Sequence, residues 1–179
     1  GSYDKTIKIW DLNPANDSVM STTVTTTTKS TVMFSNMTHK MKLVGHAKEV
    51  RAMVQQQSAG DGHDYETIVI SGSADSTIKL WDLPSGVCLR TLIGHTAAVN
   101  ALAVARQNRS VVCSGSTDAT IKVWDLEKGG CLQSLAGHTG SVKALVLIEK
   151  KQHNRLILAS GSADKTIRVW RLEDGQSLR

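Results

Sequence analysis

Three times along the chain a serine, an aspartate four residues on and a tryptophan six residues after that recur together: Ser71-Asp75-Trp81, Ser114-Asp118-Trp124 and Ser160-Asp164-Trp170. Each trio follows a Gly-His pair, so every unit also carries a histidine, namely His46, His95 or His138. Serine, histidine and aspartate are the side chains of a hydrolase relay, in which the imidazole takes the hydroxyl proton and the carboxylate holds the imidazole in place. Such a relay needs an exposed nucleophile beside an oxyanion hole and a substrate cleft. Building it three times in one array serves no enzyme, so the repetition argues against catalysis and the chain is expected not to be one.

No other cluster competes for a chemical role. The three cysteines show no CxxC spacing, which removes the usual signature of a zinc site or a redox motif. Cys88 and Cys131 occupy matching places in VCLRTL and GCLQSL, as repeated small hydrophobes, and Cys113 sits in the apolar run VVCSG as a buried free thiol. No metal and no cofactor is expected. The formal charge of +5 is spread along the sequence, which permits acidic partners without marking a nucleic-acid tail. No apolar run has bilayer length, and the N-terminus lacks the layout of a signal peptide. An intracellular protein, cytoplasmic or nuclear, is the expectation.

The elements that must position these residues emerge from internal repetition. GSYDKTIKIWDL from Gly1, GSADSTIKLWDL from Gly72, GSTDATIKVWDL from Gly115 and GSADKTIRVWRL from Gly161 align without gaps, with seven of twelve columns identical. TIKLW, TIKVW and TIRVW are β-branched and alternating, as strands with two distinct faces require. Between apolar runs, SADS, STDA and SADK supply small polar turn residues with an aspartate able to fold back on its own backbone. Each unit then reads as strand a (VRAMV, VNALAV, VKALVLI), strand b (TIVISGS, SVVCSGS, LILASGS), strand c with its tryptophan, and strand d (VCLRTL, CLQSL).

A Gly-His pair, an apolar segment, SGSxD and then TIKxWD, at a period in the low forties, resembles the WD-repeat family over nearly the whole chain. The resemblance implies an all-β fold of β-propeller blades, each of four antiparallel strands packed radially on its neighbours. It also implies that each histidine, serine, aspartate and tryptophan join in one hydrogen-bonded structural set: His46, Ser71, Asp75 and Trp81; His95, Ser114, Asp118 and Trp124; His138, Ser160, Asp164 and Trp170. A buried network of this kind satisfies groups that would each be costly alone.

The repeats divide the chain into a partial unit at residues 1–43, with strands c and d, and units at 44–93, 94–136 and 137–179, the last lacking the end of strand d. About three and a half blades make an open array, and the expectation is a fragment of a seven-bladed propeller, since propellers close with four to eight blades. The first unit holds a Ser/Thr-rich insertion at about residues 13–38, including STTVTTTTKSTV, which reads as a disordered solvated loop.

Two surfaces are candidates for partners. By resemblance, the residues flanking the strand-a valine and preceding the turn aspartate meet partners on one face: Tyr3, Glu49, Arg51, Asn100, Thr117, Ser141 and Lys143. Their mixture suits a short polar or charged peptide. The opposite face carries the variable a–b loops, two of them basic through Arg106, Arg109, Lys150, Lys151 and Arg155. The leading function is a protein-protein interaction scaffold or adaptor, for which the family offers ubiquitin-ligase substrate receptors and G-protein β-like adaptors. The alternative is contact of the basic loop face with nucleic acid or anionic phospholipid. A last stripe, Lys8, Lys79, Lys122 and Arg168 in one column of strand c, reads as stems packed along the sheets with charges reaching water.

Overall fold

The computed structural model describes residues 4–11, 22–23, 38–57, 67–105, 111–150 and 155–178. Every regular element among them is a strand: β1 (Thr6–Asp11), β2 (Thr22–Thr23), β3 (Thr38–Val44), β4 (Val50–Gln57), β5 (Thr67–Ser73), β6 (Ile78–Asp82), β7 (Cys88–Leu92), β8 (Val99–Val104), β9 (Val111–Ser116), β10 (Ile121–Asp125), β11 (Cys131–Leu135), β12 (Val142–Lys150), β13 (Arg155–Ser162), β14 (Ile167–Arg171) and β15 (Gln176–Ser177).

They form four antiparallel sheets in chain order. The second, third and last sheets are four-stranded meanders, β4-β5-β6-β7, β8-β9-β10-β11 and β12-β13-β14-β15, while the first has three strands in the order β2-β1-β3. β8 lies against β4 and β5 of the sheet before it, and β12 lies against β8 and β9. The innermost strands of successive sheets therefore stand side by side, and the sheets stack face to face as an open array of propeller blades.

Alternation along the strands explains the stacking. Ile78 and Leu80 point to one side of β6 and Trp81 to the other, and the three four-stranded sheets repeat this pattern, with a tryptophan facing the sheet before. Trp81 packs on Ile7, Ile9 and Leu43 of the first sheet, Trp124 on Ile70, Ile78 and Leu80 of the second, and Trp170 on Cys113, Ile121 and Val123 of the third. Each indole is almost wholly buried. A fully buried side chain of this size contributes on the order of 2–3 kcal/mol through area alone.

Glycine sets the closest approach between sheets. A Cβ on Gly72 would lie 2.6 Å from Val99 Cγ1 of the following sheet, and one on Gly115 would lie 2.5 Å from Val142 Cγ1. No side chain fits there, so SGS at the end of strand b is a packing requirement.

Most of the Ser/Thr-rich insertion at about 13–38 lies outside the described residues. Thr22 and Thr23 pair with Asp11 and Trp10 as a short strand, on the edge of β1 opposite β3. In the other sheets that edge is held by strand b, with Trp81 facing Val69 and Trp124 facing Val112. An open strand edge recruits extended backbone because its N–H and C=O groups need partners, and threonine is well suited to strands.

Candidate functional site

Strand b ends in Ser-Gly-Ser, the chain turns through an aspartate, and strand c starts at a threonine. In the second sheet Asp75 Oδ1 accepts from the Thr77 N–H at 2.9 Å and the Thr77 hydroxyl at 2.6 Å. Its other oxygen accepts from His46 Nδ1 at 2.9 Å and the Ala47 N–H at 2.8 Å. The carboxylate thus ties the b–c turn to the connection entering strand a. Asp118 and Asp164 make the same four contacts with Thr120, His95 and Thr96, and with Thr166, His138 and Thr139.

Since the carboxylate only accepts, the imidazole must donate through Nδ1, which leaves Nε2 to accept. Ser71 Oγ stands 2.8 Å from His46 Nε2 and also accepts the Trp81 Nε1–H at 2.8 Å. Ser114 and Ser160 repeat both contacts with His95 and Trp124, and with His138 and Trp170, at 2.8 Å throughout. Every histidine stands edge-on to its tryptophan at about 6 Å between ring centres.

Ser, His and Asp therefore stand in relay order. The seryl oxygen is nonetheless sealed beneath an indole, with Ser71 and Ser114 at 0% exposure, where no substrate carbonyl reaches it.

Charge follows from this burial. The imidazoles of His46 and His95 are held below their ordinary value because burial outweighs the pull of Asp75 and Asp118, and they are neutral in the fold. Burial would by itself raise Asp75 and Asp118, but the hydrogen bonds from the threonine, the histidine and the following backbone N–H prevail. Asp75 falls well below the carboxylate range and Asp118 falls to about 2. Asp164 is likewise held low, first by the Thr166 hydroxyl. Burial pushes the Cys113 thiol up to about 12, which makes it an inert core group.

Two further columns belong to this network and were not singled out in the sequence. Ser73, Ser116 and Ser162 each donate to a backbone carbonyl of the strand-a connection (Lys48, Ala97 and Gly140) and accept the N–H of the turn aspartate. Thr77, Thr120 and Thr166 bond both the aspartate and the histidine. Both were visible as invariant columns of the twelve-residue repeat.

The candidate partner residues at the start of strand a are joined across sheets. Arg51 Nη1 donates to Asn100 Oδ1 at 3.2 Å. Asn100 Nδ2 lies within donating distance of Thr117 Oγ1 (2.9 Å), Ser141 Oγ (3.1 Å) and the Val142 carbonyl (3.1 Å). Ser141 Oγ lies 3.4 Å from Thr117 Oγ1, and Glu49 pairs with Arg51 at 3.4 Å. Lys143 is exposed beside them.

Tyr3, Arg106, Arg109 and Lys151 lie outside the described residues, as do the side chains of Lys150 and Arg155, whose backbones pair at the end of β12 and β13. In the strand-c cation column, Lys79 and Lys122 donate to Thr91 and Ser134 on strand d of their own sheets.

Three segments, residues 37–82, 86–125 and 129–171, match the family model described as WD domain, G-beta repeat. The chain belongs to the WD-repeat family. A CCR4-associated factor 4 homolog from Vanderwaltozyma polyspora is 34% identical over 102 residues, covering 57% of this chain and 14% of the relative. The chain thus aligns with a small part of a longer protein. WD repeats generally build non-enzymatic protein-interaction scaffolds. Among the described residues no helix is long and apolar enough to cross a membrane.

Proposed function

We propose that this WD-repeat chain is an intracellular scaffold, cytoplasmic or nuclear, that holds a short polar or charged peptide of a partner protein across the rim formed by Glu49, Arg51, Asn100, Thr117, Ser141 and Lys143. The supporting observation is the hydrogen-bonded run from Arg51 through Asn100 to Thr117 and Ser141, which crosses three consecutive sheets. Polar groups ordered before a partner arrives lose little further freedom on binding, and this is how a shallow surface gains affinity. The cationic ends at Arg51 and Lys143 favour a segment carrying carboxylates. A similar protein named for association with CCR4 accords with a subunit of a larger assembly.

In this reading the Ser-His-Asp-Trp sets serve stability, and a serine-reactive fluorophosphonate should leave Ser71, Ser114 and Ser160 unlabelled. An array of acidic, basic and apolar peptides read by fluorescence polarisation tests the rim. Acidic peptides should bind best and lose about tenfold or more with Arg51→Ala or Asn100→Ala, the size expected of a contact worth about 1.4 kcal/mol. Binding that ignores both changes refutes the rim. If RNA or anionic vesicles bind instead, with steep salt dependence and loss on neutralising Lys150, Lys151 and Arg155, the basic loop face is the working surface.

A further inference from the structure

Between the outer strand of the third sheet and the c–d turn of the last lies a cavity of about 270 Å³. Val111, Val123, Leu132, Leu156 and Leu172 line it with aliphatic side chains, and Gln133 and Glu173 supply its polar groups. Leu132 and Glu173 are exposed, so it opens to solvent beside them. Neither the rim of the proposed peptide site nor the Ser-His-Asp-Trp sets use these residues.

The second and third sheets meet over the same positions with larger side chains. Register places Ile68 and Leu80 of the second sheet where the third has Val111 and Val123, and Arg90 where the third has Gln133. The wall from the following sheet is the same in both cases, Leu126-Glu127 in one and Leu172-Glu173 in the other. Arg90 lies over the turn glycine Gly129, with Nη1 2.6 Å from where a Cβ would stand, whereas Gln133 Nε2 keeps 3.3 Å from the corresponding point on Gly175. A methylene group at each valine and part of a guanidinium are thus missing from the third sheet's wall, and packed surroundings collapse only partly into such a space.

The same wall holds an unmet acceptor. Gln133 Oε1 is buried without a hydrogen bond, which is unfavourable for an amide oxygen. The last torsion of a glutamine is broad, so a small turn of the amide directs that oxygen into the cavity. A guanidinium would bring five donors to a largely aliphatic wall, and a carboxylate would meet the like charge of Glu173. An indole has a flat apolar body and one N–H donor with no acceptor, the complement of aliphatic walls with a single unmet oxygen. The volume lies at the lower end of ligand sites and suits one ring system.

We propose that this cavity is a binding site for a flat aromatic group with one N–H donor, of the indole class, held between the aliphatic walls and hydrogen-bonded to Gln133 Oε1. Ligand-observed NMR titrations of the full-length polypeptide with indole, benzofuran and N-acetyltryptophanamide test it. Indole should bind, and benzofuran, which has the same shape without the N–H, should bind roughly three- to tenfold more weakly, the loss expected of one hydrogen bond. Gln133→Leu should erase that difference. Giving the third sheet the lining of the second, by Val111→Ile, Val123→Leu and Gln133→Arg together, should fill the cavity and weaken indole by about tenfold or more, with urea unfolding to verify the fold. Should that variant fail to fold, Val123→Leu alone should weaken indole by roughly threefold or more. Binding of N-acetyltryptophanamide alongside indole assigns the site to a tryptophan of a partner protein, and binding of indole alone assigns it to a free small molecule. Absence of indole binding overturns the proposal, as does equal binding of indole and benzofuran, or indole binding that the filling substitutions leave unchanged.

Discussion

Ile121 and Ile167 occupy the same position in strands of nearly the same sequence, TIKVW and TIRVW, yet one is sealed between sheets and the other stands open. The third sheet has a neighbour on both faces, with Trp124 lying on the second sheet and Trp170 covering its own aliphatics. The last sheet reproduces the b–c turn of the third, its hydrogen-bonded set and its buried indole. Among the described residues, none lies on its forward side. Each of the three four-stranded sheets thus holds its own polar network but only half of an apolar interface, and the stability of such arrays is a sum of unit and neighbour contributions.

The sharpest way to break this comparison is at the glycines. In residues 1–179, Gly115→Val should destabilise by about 3 kcal/mol, because the new methyls collide with Val142, while Gly161→Val should change urea unfolding by less than about 0.5 kcal/mol. Equal losses would mean that the hollow at Gly161 is already filled. Next come the isoleucines: Ile121→Ala should cost about 3 kcal/mol through the cavity it leaves, and Ile167→Ala only a few tenths of that figure.

The polar sets should behave alike in both sheets, because each is built within one unit. Ser114→Ala and Ser160→Ala each strand an indole N–H and an imidazole nitrogen, and each should lower stability by about 2 kcal/mol. A marked inequality would show that the neighbouring sheet contributes to the network.

Acid should act on the same sets. His46 and His95 are neutral in the fold with lowered pKa values, so the unfolded chain binds more protons once pH drops below its ordinary 6.5. Thermal stability should therefore hold above about 6.5 and decline below it. A second loss follows below the ordinary carboxylate value of 3.8 as Asp75 and Asp118 are driven toward their low folded values. A Tm flat from pH 7 to 5 would contradict the first part.

The smallest effect is a gain. Ala119 and Lys165 hold φ of 65° and 69° in the b–c turns of the third and last sheets, a region that side chains adopt at a penalty. Ala119→Gly and Lys165→Gly should each stabilise by about 0.5–1 kcal/mol, and by similar amounts, because the turn is local.

The strands, their order within each sheet and the family were legible because they depend on short-range signals. Alternation in TIKLW and TIKVW declares a two-faced strand, and a repeated Gly-His and Trp-Asp at constrained distances declares the unit. The residues of the polar sets could be named because they fall in repeated columns. The roles of Ser73 and Thr77 were less legible, since a hydroxyl beside an aspartate reads as generic turn chemistry until its partners in the strand-a connection are seen. The run from Arg51 to Asn100 and Ser141 was beyond reach as a hydrogen-bonded chain. It joins residues 49 and 41 positions apart, and no local pattern specifies which side chains of neighbouring sheets will meet.

What the sequence determined by itself was the repeated unit, because propensity, periodicity and turn chemistry act over a few residues and each copy carries them whole. What only the tertiary structure decided was which identical positions are interior and which are surface. Burial belongs to the pair of sheets and not to the strand, so TIKVW and TIRVW meet different fates although their residues scarcely differ. The same holds for the Ser-His-Asp relay. Its residue types could suggest a nucleophile, but the indole that donates to each serine and buries it is a fact of packing that no local pattern states.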